Sequence, residues 1–337
     1  MAEIGKSLGV RYVLEGSVRK SGQRVRITAQ LIDATTGGHL WAERFDRDLT
    51  DIFAVQDDVT TQIVSALALN LSATDRKSRA TEPVDNLEAY DCFLRGRELF
   101  ARQTKEGNRD AQPLLRRTIE LAPGFASGFA WLAGALVIDY VNGWSAAPDE
   151  TLKESIRTAR RAVELDERNP LALWALGFAS LWARRFDEAI NATERAIAYN
   201  PNFALGHITL GTTLHYVGRS EESLKCFERA LAGDPYCPDI WLHLQAQANY
   251  QLGRYAESAD LLKRGILRFP ETDASRVLLA AAYGQMGLVE EAREAWRGAL
   301  AVNPAYSLEQ RRQVLPYKDP ADFDRIVEGL RKAGIEQ

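Results

Sequence analysis

The sequence predicts a small α+β unit followed by an all-α solenoid of about six stacked helix pairs with a C-terminal capping helix. Three observations predict it. A period of 34–35 residues runs through the second half of the chain, which is how stacked supersecondary units repeat. Residues 11–46 leave that rhythm for a two-residue alternation, the period of half-buried strands. Lastly, Phe323, Ile326, Val327 and Leu330 fall at i, i+3, i+4 and i+7, one apolar stripe that reads as a single amphipathic helix closing the stack.

Taken in chain order, Arg11–Lys20 reads as a first strand that turns at Ser21–Gly22, a hairpin signal. In the second strand Val25, Ile27, Ala29 and Leu31 alternate with Arg24, Arg26, Thr28 and Gln30. After the loop Thr35–Gly38, Leu40–Phe45 gives a third strand, so the sheet is small, antiparallel and three-stranded. Asp51–Leu71 follows as a helix with Ile52, Val55, Val59, Ile63, Leu67 and Leu71 toward the sheet. This sets a first domain at 1–72, and the Ser-, Thr-, Arg- and Asp-rich stretch around Pro83 forms a linker at 73–87.

The repeats occupy 88–306. Pro201, Pro235, Pro270 and Pro304 stand 34, 35 and 34 apart, and Gly218, Gly253 and Gly287 keep the same steps. The glycine ends the first helix of each unit (helix A), where a left-handed residue closes the C-terminus without a Cβ penalty. Small residues at Ala189, Ser223, Ser258 and Ala292 let the second helix (helix B) lie close to it. A second small series, Ala196, Ala230, Gly265 and Ala299, lets the next unit stack. The proline stops helix B because it cannot continue the hydrogen-bond ladder. Two less regular units precede these, at about 88–125 and 126–169. The first carries extra residues in its connection at Thr104–Asn108, and the second an insertion at Val141–Glu150. In 307–337, Ser307–Leu315 comes first, then a helix with Asp319 as N-cap, Pro320 at its first position and Gly334 at its stop.

This 34-residue helix–turn–helix punctuation resembles the tetratricopeptide repeat. The run LGVRYVLEGSVRKSGQRVRITAQLIDATTGGHLWAERFDRDLTDIFAVQDDV resembles the second half of the TolB-like amino-terminal domain, and PYKDPADFDRIVEGLRKAGI resembles the end of bacterial class III adenylate/guanylate cyclase-type signalling proteins. What the resemblance implies is a bacterial signal-transduction protein in which a TolB-like domain and repeats follow an effector. The segment matching the first half of that domain does not precede Ile4–Val10, so a partial TolB-like α/β domain is expected. A three-stranded sheet with an open edge is a poor folding unit. Self-association through the 11–46 strands, or completion by another partner, is therefore expected.

The chemistry classes narrow quickly. With 42 basic and 46 acidic residues the net charge is −4, which offers no footprint for nucleic acid or an anionic membrane. Cys92, Cys226 and Cys237 form no CxxC pair, which argues for a reducing compartment. MAEIGKSLGV lacks the pattern of an export signal, and the expectation is a cytoplasmic chain with no membrane contact. No GxxxxGK[ST], GxSxG or HExxH motif occurs, and no stretch resembles the metal-binding aspartates of a cyclase. Neither catalytic residues nor a cofactor are expected. His207 and His215 lie eight apart and His243 on the next helix A, but without neighbouring Cys they read as packing or groove residues rather than a metal site.

The remaining candidate is the concave surface lined by the helices A. By repeat register it carries Trp174, Phe178 and Trp182, then Thr212, His215 and Tyr216, then His243, Gln247, Tyr250 and Gln251. Aromatics in such a track can anchor a peptide or helix, or they can fill space between helices. The expected function is a non-enzymatic protein–protein interaction and regulatory module, with a protein or peptide partner such as a cyclase or other effector domain. The alternative is the C-terminal fragment of an adenylate/guanylate cyclase whose catalytic domain lies outside this chain.

Overall fold

In the computed structural model of the chain, the described residues are 12–22, 24–34, 36–48, 62, 86–233 and 238–335. The chain divides into two compact units, Met1–Pro83 and Val84–Gln337.

In the first unit β1 (Tyr12–Ser21), β2 (Arg24–Asp33) and β3 (His39–Asp48) form an antiparallel sheet in the order β1-β2-β3. The hairpin closes with Ser21 opposite Arg24 and with Gly22 at φ +60°, a conformation glycine adopts without strain. The register follows the alternation read in the sequence. Val25, Ala29, Leu31 and Phe45 are buried on one face, while Arg26 and Arg44 hold Asp46 on the other at 2.6 and 2.7 Å. Leu14 and Val18 belong to the apolar face, opposite Leu31 and Ile27, yet remain 51% and 68% exposed. The apolar face is thus covered over β2 and β3 and open over β1. The helix expected at Asp51–Leu71 and the linker at 73–87 lie outside the described residues, apart from Gln62 and residues 86–87.

The second unit consists, among the described residues, of six helix pairs. They are α1 (Leu87–Ala101) with α2 (Lys105–Leu121), α3 (Ala126–Val141) with α4 (Pro148–Leu165), and α5 (Pro170–Trp182) with α6 (Phe186–Tyr199). The remaining three are α7 (Ala204–Tyr216) with α8 (Ser220–Gly233), α9 (Asp239–Gln251) with α10 (Tyr255–Arg268), and α11 (Asp273–Gln285) with α12 (Val289–Val302). Each helix B packs on its own helix A and on the next one, and successive helices A also touch. The helices A therefore form the inner row. Ala189, Ser223, Ser258 and Ala292 are completely buried where A meets B, and so are Ala196, Ala230 and Ala299 at the stacking positions.

The helix-ending glycines are where the period places them: Gly218, Gly253 and Gly287 have φ of +85°, +75° and +76°. Gly143 does the same for α3 at +65°. In two units the left-handed residue is not glycine: Gln103 at +53° and Arg184 at +57°. The extra residues at Thr104–Asn108 do not make a longer connection. Thr104 accepts from the Gly107 amide and starts α2 there, so the surplus lengthens the helix. The insertion at Val141–Glu150 is shorter than its sequence span, because α3 runs to Val141 and α4 begins at Pro148.

After the last pair, α13 (Leu308–Val314) and α14 (Pro320–Lys332) close the chain. Asp319 accepts from the Ala321 amide and Gly334 has φ +70°, as the caps predict. Phe323, Ile326 and Leu330 are buried. The segment turns back, and α14 lies on α11 within the inner row. No helix among the described residues is long and apolar enough to cross a membrane.

Candidate functional site

The inner row brings the sequence-predicted residues to one side of the solenoid, and there they divide into two groups. Trp174, Thr212 and His243 serve the packing between helices. The Trp174 ring stacks on Phe178 at 5.6 Å, tilts against Trp131 of α3, and donates from Nε1 to Thr209 of α7 at 3.0 Å. Thr212 donates to the Ile208 carbonyl of its own helix, and His243 Nδ1 meets Ser275 Oγ of α11 at 3.0 Å. His207 turns away to the Pro201 carbonyl.

The second group, Trp182, His215, Tyr216, Gln247, Tyr250 and Gln251, forms a continuous patch, and the chain's own C-terminal segment is seated on it. The Tyr317 ring meets Tyr216 edge-on at 4.8 Å and His215 at 5.5 Å, in the T-shaped geometry aromatic quadrupoles favour. Its hydroxyl lies 3.3 Å from His215 Nε2. Tyr216 in turn meets Trp182 at 6.0 Å. Tyr250 Oη donates to the Arg325 carbonyl at 2.8 Å, and Gln251 Nε2 donates to the Asp322 carbonyl at 2.7 Å. Burial pushes the Tyr216 phenol up to about 12 and raises Tyr250 and Tyr317 further. The ring oxygens therefore stay neutral and act as hydrogen-bonding groups, not as acids or bases near pH 7.

Main-chain capture runs in both directions. The Lys318 amide donates to the Tyr216 carbonyl at 2.9 Å, the Arg311 guanidinium to the Val141 carbonyl at 3.0 Å, and Arg325 to the Gln251 carbonyl. These three carbonyls end α3, α7 and α9, where unsatisfied C=O groups and the negative end of the helix dipole favour a cationic donor. At the end of α5 the polarity reverses. Arg184 reaches out and donates to the carbonyls of Tyr317 and Leu315, both at 3.0 Å, and of Gln313 at 3.4 Å.

Arg184 stands where α3, α7, α9 and α11 are followed by glycine. A left-handed residue with a Cβ costs about 1–2 kcal/mol, and here its side chain is the clamp on the segment. Sequence reasoning missed Arg184, although a signal for it was present: it breaks the glycine series. It also missed Gln285, which donates to the Arg325 carbonyl at 3.1 Å.

The seam is close in one place and imperfect in another. A Cβ on Gly284 of α11 would sit on the Gly329 carbonyl of α14, and one on Gly329 would lie 2.5 Å from the Ala281 carbonyl and 2.7 Å from Tyr250 Oη. Glycine at both positions is what lets the two helices cross. Nearby, Trp182 Nε1 is buried with no hydrogen-bond partner. Such an orphaned group loses its hydration without return. Among the described residues no group of three or more His, Cys, Asp or Glu could hold a metal ion. The side chains that do converge are suited to holding a peptide backbone.

Comparison with known proteins gives the same architecture. A family model described as tetratricopeptide repeat matches residues 208–275. The chain is 44% identical over 333 residues to the protein named "Putative adenylate cyclase 3" of Rhizobium meliloti (strain 1021). That alignment covers 99% of this chain and 57% of the relative, so the chain spans little more than half of the relative's length. Among solved structures, the one titled "Crystal structure of APC/C hetero-tetramer Cut9-Hcn1" superposes with a TM-score of 0.52 at 15% identity, covering 68% of this chain and 46% of that one. A thermophilic tetratricopeptide-repeat protein of Thermus thermophilus matches with a TM-score of 0.46 at 18% identity, over 58% of this chain and 98% of that one.

Proposed function

We propose that this tetratricopeptide-repeat protein is a non-enzymatic regulatory module of a cyclase-type bacterial signalling system, in which the inner face of the solenoid binds a peptide or helix of its partner. The observation that carries this reading is the groove's handling of a polypeptide. Arg184, Tyr250 and Gln251 hydrogen-bond a chain segment through its carbonyls and the Tyr216 carbonyl takes its Lys318 amide, while the Val141 and Gln251 carbonyls take the side chains of its Arg311 and Arg325, so the surface reads a peptide by its backbone together with a few arginines. The 44% identity to a cyclase-named relative supports an effector domain of that kind as the expected partner. The partial TolB-like reading of 1–72 and a cytoplasmic location belong to the same proposal.

A second reading follows from the same alignment: the chain is the regulatory C-terminal portion of a cyclase whose catalytic part corresponds to the rest of the relative. Two assays test these readings. The purified chain incubated with ATP and Mg²⁺ is expected to form no cyclic AMP, and formation of cyclic AMP would refute the non-enzymatic assignment. Next, the part of the Rhizobium relative outside the alignment, expressed separately, is expected to co-elute with this chain and to change its cyclic AMP output on mixing. Independent elution with unchanged output would remove the effector from the proposal.

A further inference from the structure

We infer that residues 307–335 are a displaceable internal ligand of the solenoid groove, so that the groove takes an external segment only by exchanging it for its own tail. This rests on the reading of the inner face as the binding surface. Three independent features carry it.

The first is direction. Beyond resting on α11 of the last pair as a capping helix does, this segment touches the ends of helices A along most of the row, from Val141 through Arg184 and Tyr216 to Gln251 and Gln285. The second is Arg184. It occupies a left-handed backbone position at which four other units carry glycine, and its guanidinium spends itself on three carbonyls of the tail. A strained residue is retained where the surroundings use it. The third is the mismatch beneath the tail. The Gln251 side chain bonds Tyr317 and Asp322 of the tail and Gln247 bonds Tyr216, but Trp182 Nε1 is buried without an acceptor, so the internal occupant leaves the indole donor unmatched. A segment offering an acceptor to Trp182 gains what the tail does not.

The same contacts define the incoming segment. It carries an aromatic side chain for the recess formed by Tyr216 and His215, followed by a helix bearing arginine donors for the helix-end carbonyls. It also has glycine where the tail's Gly329 crosses Gly284. At the ends of α3, α7 and α9 carbonyl oxygens face the segment and disfavour acidic side chains there, while Arg184 is the cation that faces it at the end of α5.

The test uses the full chain, its Gly329→Ala and Arg184→Gly variants, and a fluorescein-labelled synthetic peptide of residues 307–335. Gly329→Ala places a methyl against the Ala281 carbonyl and Tyr250 Oη while leaving the groove untouched. Arg184→Gly removes the clamp and relieves the left-handed backbone. Hydrogen exchange in residues 308–335 is expected to be at least tenfold faster in each variant than in the parent chain, with α5–α12 unchanged. Fluorescence anisotropy is expected to show the labelled peptide captured at least tenfold more tightly by the Gly329→Ala chain than by the parent.

If instead the tail exchanges only together with α5–α12 in all three proteins, or the peptide binds none of them while their circular dichroism is intact, the tail is a fixed part of the fold and the inference falls. Capture of the 307–335 peptide without recruitment of the effector portion would leave the inference standing and discard the proposed partner.

Discussion

His215 and His243 are enclosed among the helices, and the one carboxylate acting on them, Asp273 on His243, favours the charged ring less than burial disfavours it. Burial lowers His215 from its ordinary 6.5 to about 3, with the neighbouring His243 charge adding to the effect. Burial likewise lowers His243 to about 4, with Arg311 adding to it. Both rings bind protons more weakly folded than unfolded, so the unfolded chain gains protons first as the pH falls. Their contribution to stability is complete above about pH 6.5. It is lost toward pH 4, by about 1.4 kcal/mol per pH unit for each ring. Thermal unfolding followed by circular dichroism at about pH 7.5 and pH 5 is expected to show a lower Tm at pH 5, and a Tm unmoved by this change would contradict the assignment. Trp182, at 7% exposure, is equally enclosed. Trp182→Ala is expected to lose about 3–5 kcal/mol of stability in a denaturant titration, so loss of binding in that variant would report on folding as much as on recognition.

At the scale of the elements, each helix A ends by the same device. Gly218, Gly253 and Gly287 have open space where a Cβ would go, so alanine there meets no neighbour and suffers only from its left-handed backbone. Gly253→Ala is expected to cost about 1–2 kcal/mol in chemical denaturation, with the helical signal of the native state retained. The spacing of these glycines was legible in the sequence because a chain reversal imposes its own residue type locally. The ends of α1 and α5 were less legible. Gln103 and Arg184 adopt the same conformation with side chains that give no local sign of it, and in Arg184 the reason lies 131–133 residues away, at Leu315 and Tyr317. The caps of α14 were equally readable, since Asp319, Pro320 and Gly334 act on adjacent backbone. Which surface the helix would cover was not, because an apolar stripe specifies that something is buried and not what buries it.

On the scale of the whole second unit, the tail changes how the stack holds together. A solenoid is a row of nearest-neighbour interfaces, and such rows unravel unit by unit. The segment 307–335 ties units that are not neighbours to one another, since its Arg311 donates to Val141 of the second pair and its Lys332 to Gln285 of the sixth. A chain ending at residue 306 is therefore expected to unfold over a broader urea range than the full chain, as followed by circular dichroism. An equally sharp transition would show that these links carry little of the cooperativity.

The sequence by itself determined the helix pairs and their number, the three strands with the alternation of the second, and the residue types at turns and stacking positions. Each depends on interactions within a few residues or on a period repeated many times. It also named six residues of the patch under the tail, since register alone places Trp182, His215, Tyr216, Gln247, Tyr250 and Gln251 on one face. The tertiary structure alone decided that Trp174 and His243 belong to helix packing, that Arg184 is a clamp, and that the groove holds the chain's own C-terminus. Those outcomes depend on contacts between residues far apart in sequence, and one-dimensional periodicity carries no record of them.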